Sequence, residues 1–213
     1  MDFLKVFYAP GEVKYSKKKW ISFFFVSLVI GLLVLFLNVH FNFNGILNAV
    51  KERLSSVSEA QKAQALNMLT PGRMMLRGGI SLLIWLPLKL LFIAGMLYVI
   101  RMLWETENFS IPLFASSIYI YIQAVGDFIK FLLSVIFNTF PFTTDLSILT
   151  GSRNFLFGFL SAFDIFTIYA MYVAGVVISP RDKKRSMYYF FVLLVLLILW
   201  GIIKGFTIRM GMK

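Results

Sequence analysis

Nothing constrains this chain more than five long apolar stretches, at residues 20–38, 78–101, 111–137, 155–178 and 188–208. A helix crosses the hydrocarbon core of a bilayer with about 20 apolar residues. In lipid the backbone must satisfy its own hydrogen bonds, which a helix does. The expected fold is all-α: a polytopic membrane protein, one integral membrane domain over residues 1–213, with five transmembrane helices and short amphipathic helices in the first outer loop. Composition agrees. Of the 213 residues 59% are hydrophobic and 15% charged, where a soluble domain carries about 25% charged residues. Mean hydropathy is +0.81. A soluble domain of this size has too little interior for so much apolar side chain. The absence of cysteine sets aside a disulfide scaffold, thiol catalysis and Cys-ligated metals. The first stretch is not a cleaved signal peptide, being late, long and without a small-residue cleavage site. Pro87 lies inside the second and should kink it.

The net charge of +11 points to anionic lipid headgroups at the cytoplasmic face rather than to nucleic acid. Lys5, Lys14, Lys17, Lys18 and Lys19 precede the first span, and Arg181, Lys183, Lys184 and Arg185 lie between the fourth and fifth. With five spans these two segments share a side, which the basic bias makes the cytoplasm. The C-terminus, with Arg209 and Lys213, is then outside. Arg101, Glu105 and Glu107 fall inside, and Lys51, Arg53, Lys62, Arg73 and Arg77 outside. A prokaryotic cytoplasmic membrane is the expected location.

Residues 38–79 form the one long connecting segment. Leu47, Val50, Leu54 and Val57 recur at helical spacing. Ser58 with Gln61 resembles a capping box opening a second helix through Leu69, which Pro71 and Gly72 should end. Two short amphipathic helices on the outer face are expected, either a lid or partner platform or a plain interfacial connector. Residues 2–9 read as a short interfacial helix stopped by Pro10 and Gly11.

Ionisable groups within hydrocarbon need a partner or a purpose. The third span carries Ser116, Tyr119, Gln123, Asp127, Lys130 and Ser134 at steps of three and four, hence on one helical face. Ser161, Asp164 and Thr167 share a side of the fourth, and Lys89 and Lys204 lie in the second and fifth. At 1.5 Å per residue Asp127 and Asp164 both fall roughly 14 Å below the outer boundary, so they can share a site with Lys130, approached by Lys89 from slightly deeper. The candidate polar cluster is Gln123, Asp127, Lys130, Asp164, Lys89 and Lys204. It is read either as an ion-pair and hydrogen-bond network fixing helix register, or as a path for a cation, proton or substrate.

Catalysis is not expected. An intramembrane aspartyl protease pairs Tyr-Asp with a later Gly-x-Gly-Asp. Here Ala124 replaces the first glycine, Phe163 replaces the tyrosine, and the order is reversed. Lys130 would also keep both acids ionised. His40 is the only histidine, so no His-based metal site or triad is expected, and no cofactor. The Asn108-Phe109-Ser110 sequon falls on the cytoplasmic side.

Three segments resemble the Yip domain family, the Ypt/Rab-interacting integral membrane proteins. FYAPGEV followed by KKKW is similar to the short helix, proline and tryptophan that precede the membrane in bacterial members. NFSIPLFASSIYIYIQAVGDF resembles the polar turn that enters the third span, and FLSAFDIFTIYAMYVAGVVI the fourth, with Asp164 in place of the family's intramembrane aspartate. Members often carry a proline midway along the third span, where this chain has Gln123 and Asp127. The resemblance implies a compact bacterial or archaeal-type member and a membrane-organising or partner-binding subunit, with a membrane-protein partner or homo-oligomer. Eukaryotic relatives are linked to vesicle traffic and bind Rab-type GTPases. The alternative is a transporter or ion/lipid permease using the Asp/Lys cluster.

Overall fold

Four of the five apolar stretches become helices long and apolar enough to cross a membrane: Lys19–Phe41, Pro71–Arg101, Ser110–Ile136 and Lys183–Ile208. The structure, a computed structural model, describes the chain except residues 1, 17, 54–57, 68, 104–107, 140–141, 151–153 and 212–213. Among the described residues the α-helices are α1 (Asp2–Tyr8), α2 (Lys19–Phe41), α3 (Phe43–Arg53), α4 (Glu59–Asn67), α5 (Pro71–Arg101), α6 (Ser110–Ile136), α7 (Phe155–Leu160), α8 (Ile165–Ile178) and α9 (Lys183–Gly211). Single 3₁₀ turns occupy Pro10–Glu12 and Leu146–Leu149. The expected basic and acidic positions Lys17, Glu105, Glu107 and Lys213, and the apolar positions Leu54 and Val57, lie outside the described residues.

The fourth expected span is not one helix. The apolar run from Phe155 to Ile178 breaks at residues 161–164 into α7 and α8. Asp164 is the reason. Its carboxylate accepts hydrogen bonds from the backbone N–H groups of Phe166 and Thr167, which would otherwise be orphaned at a helix start. An aspartate bonding forward in this way caps a new helix more readily than it continues the old one. Alone, the 14 residues of α8 rise about 21 Å, short of the roughly 30 Å of a hydrocarbon core.

The chain divides into two compact units. The first comprises Met1–Ser27, Leu88–Gln123 and Thr143–Lys213. Its core is the first half of α6, where Phe114, Ser116, Ser117, Ile118, Ile120 and Ile122 are at most 2% exposed. The serines tolerate that burial because their hydroxyls donate back to the carbonyls of Pro112 and Phe114. The short helix expected at residues 2–9 forms as α1 and is followed by the turn at Pro10. Phe3, Val6 and Phe7 recur at helical spacing, and α1 seats that face in the unit. Val6 is fully buried, Phe3 packs on Phe23 and Tyr121, and Phe7 packs on Tyr121 and Tyr169. The Tyr169 hydroxyl reaches the carbonyls of Val6 at 3.2 Å and Phe7 at 2.8 Å, closing the orphaned end of the helix. Tyr15 extends the docking through its ring against Phe114 and its hydroxyl at Ser110.

The α7–α8 pair lies along α9 within this unit. A Cβ at Gly175 would sit 2.5 Å from the Ser186 carbonyl oxygen, and one at Gly158 would sit 2.8 Å from the Gly205 Cα. Gly201 meets Phe159 and Ala162 in between. From Gly175 to Ala162 is 13 residues, while from Ser186 to Gly201 is 15; from Ala162 to Gly158 and from Gly201 to Gly205 are both four. The antiparallel register against α9 therefore slips by only about 3 Å across the break.

The second unit comprises Leu28–Pro87 and Ala124–Phe142. Here α2 and α5 approach closely, Gly31 facing Leu82 and Gly78 facing Leu35. The second half of α6 joins α2 through Phe131 against Phe41 and through the Asn42 amide, which donates to Ser134 Oγ at 3.3 Å. Pro71 does not end the connector helix as expected. It opens α5, where a missing N–H costs nothing, and α4 ends at Asn67. Helix α4 begins directly after Ser58, where the capping-box spacing put it. Helix α5 continues through Pro87.

Candidate functional site

The break between α7 and α8 gathers four of the six expected polar residues, all within the first unit. Asp164 Oδ1 lies 3.0 Å from Phe166 N and 3.3 Å from Thr167 N. Its Oδ2 accepts from the Thr144 hydroxyl. The segment carrying Thr144 folds back onto the break: Asp145 and Asp164 form an isolated antiparallel bridge, and Leu146 N–H donates to the Phe163 carbonyl at 3.3 Å. Asp145 in turn caps the 3₁₀ turn at Ser147. A helix end that would present bare backbone groups is thereby closed from both sides.

Gln123 extends the network to α6. Its amide donates to Thr167 Oγ1 and to the Tyr119 hydroxyl, both at 3.0 Å. Its carbonyl oxygen accepts from Lys89 Nζ, and that ammonium also sits 6.0 Å from the Tyr119 ring centre. Thr167 is thus shared, its hydroxyl taken by Gln123 and its N–H by Asp164. Lys204 reaches the other lip of the break, donating to the Ser161 carbonyl at 3.4 Å. Ser161 is the C-cap of α7, where a cation is favoured. Among the described residues no buried side-chain nitrogen or oxygen lacks a hydrogen-bond partner.

Asp127 and Lys130 belong to the second unit. They pair with each other at 3.4 Å, one turn apart on α6. The Asp127 side chain is 62% exposed against 22% for Lys130. Asp164, by contrast, is 9% exposed.

Three contributors escape the sequence reading. Thr144 and Asp145 sit in a connector without periodicity, and no local pattern points to them. Tyr169 reads as one aromatic among many. The glycines of α9 do carry a pattern: Gly201-Ile-Ile-Lys-Gly205 is a small-xxx-small spacing that lets helices approach closely.

Among the described residues no three His, Asp or Glu side chains gather as a metal ion would require. A cavity of about 330 Å³ in the second unit is lined by Val39, His40, Phe41, Phe43, Asn44, Pro71 and Met75 and holds none of the six polar residues. Chemically, the break network can hold helices in register and can relay polarity from Lys89 to Thr144. Comparison of the chain with family models, with curated proteins and with solved structures gives no match.

Proposed function

We propose that this chain is a non-enzymatic, five-crossing integral membrane protein with its N-terminus in the cytoplasm, working as a membrane-organising or partner-binding subunit of the Yip type. In this reading the α7–α8 pair counts as one crossing, laid along α9. The observation that carries the reading is the saturation of the break. Asp164 accepts two backbone N–H groups and the Thr144 hydroxyl, and Gln123 joins Lys89, Tyr119 and Thr167. Polar groups so fully engaged with one another serve packing; a substrate would have to displace those bonds to bind. The family assignment rests on FYAPGEV, the α6 entry and the FLSAFD segment. Basic residues such as Lys14, Lys18 and Arg181 supply the attraction to anionic headgroups.

Thermal melts in detergent test the reading. Asp164→Ala should lower the melting temperature, and Asp164→Asn, which still accepts the capping bonds, should lower it less. If both variants melt higher than the parent, the acid is held at a cost to stability and the packing role is wrong.

The broken helix favours a second reading, a permease. Interrupted helices with polar groups at the break are a recurring way to build a transport site. Charge movement into reconstituted liposomes that Asp164→Asn abolishes, together with a raised melting temperature, would select it.

A further inference from the structure

We propose that the second half of α6 borders a water-filled crevice with the Asp127–Lys130 pair at its floor, admitting water and small hydrophilic ions to mid-membrane depth. The exposure pattern around this one helix carries the proposal. Ile120, Ala124, Phe131 and Ser134 all fall within about 60° of Asp127 around the helix axis. Their exposures are 2%, 9%, 6% and 3%. Asp127 stands in the middle of that packed face with a side chain 62% exposed. The exposed apolar side chains of the same stretch, Ile129, Leu132, Val135 and Ile136, occupy a different arc, about 80–200° away. Asp127 is therefore open on the packed side of α6 and not on the side suited to acyl chains.

What fills that opening follows from its chemistry and size. A carboxylate facing hydrocarbon is strongly unfavourable, and here it lies nine residues inside the end of α6, about 14 Å. The opening is bounded along the helix by buried Ala124 on one side and buried Phe131 on the other. A partner helix packs over several turns and would need a taller gap. Water fits the gap, and an ion pair at 3.4 Å with one member mostly exposed is the form such a pair takes when hydrated.

The chain contains no cysteine, so single-cysteine variants report without background. The probe is a charged, membrane-impermeant methanethiosulfonate reagent applied to the full-length protein in vesicles. It reacts with thiolate, and a thiol in apolar surroundings ionises poorly, each unit of raised pKa removing about tenfold in rate. Asp127→Cys should react at least about tenfold faster than Leu132→Cys and Val135→Cys. Lys130→Cys, which leaves the acid in place, should do the same and decides the matter if Asp127→Cys fails to elute as a single species. If both positions react as slowly as the Leu132 and Val135 variants in vesicles, yet react fully after denaturation, the crevice holds no water and the proposal is overturned.

Discussion

Asp164 shows what one residue does to a run of apolar neighbours. Between Phe155 and Ile178 hydropathy alone describes a continuous crossing, and the break was legible only through capping chemistry. Asn154 and Asp164 each stand directly before an apolar run, and each accepts an N–H from the turn that follows. Reading an intramembrane aspartate first as a charge hides its second property, that of an N-cap. The consequence can be measured. Asp164→Ala should cost about 1–2 kcal/mol, a few degrees of melting temperature for a chain of this length. Thr144→Val removes one hydrogen bond to a charged acceptor and should cost about 1.5–3 kcal/mol in the same melts. Asp127 teaches the opposite lesson. Its place on the polar face of α6 and its nearness to Lys130 follow from steps of three and four along the sequence, but its exposure depends on neighbours that no spacing reports.

At the scale of elements, α2, α5, α6 and α9 were legible because length and hydropathy suffice to specify a long apolar helix. Which helices touch was not, since lipid and protein look alike to an apolar side chain and interfaces are chosen by small residues and polar bonds. The contact of α9 with α7 and α8 is such a choice. Gly175 lies under the Ser186 carbonyl and Gly158 against Gly205, so added methyl groups meet backbone that cannot step aside. Gly175→Ala and Gly158→Ala should each destabilise by about 1–3 kcal/mol. Gly95 is the control: nothing lies within 4 Å of its missing Cβ. Gly95→Ala should be neutral or raise stability by up to about 1 kcal/mol, as where a helix interior has room for the methyl group. Equal losses at all three glycines would show helix-wide sensitivity instead of close packing.

For the whole molecule, the proposed topology makes a prediction that geometry leaves free. With five crossings, a reporter fused after Lys213 and one inserted between Asn48 and Leu69 should both lie outside, and one placed before Lys5 inside. Cytoplasmic activity from the first two would turn the assignment over. With four crossings, α7 and α8 not spanning together, the C-terminal reporter alone would change sides. The two compact units were not foreseen, because α2, α5 and α6 each contribute part of their length to both, and a boundary that falls inside continuous helices leaves no mark in composition.

The seat of α1 has a consequence for biosynthesis. Phe7 and the tyrosine that holds its carbonyl are 162 positions apart. At ribosomal speeds of about 5–20 residues per second, this last part of the docking site emerges on the order of ten seconds or more after the helix that fills it. Phe3 meets Phe23 earlier and Tyr121 serves both rings once α6 is made, but until α8 is made the last carbonyls of α1 must be satisfied by water or by the bilayer surface. A segment near the start of translation thus has its seat completed only when the fourth apolar stretch has been made.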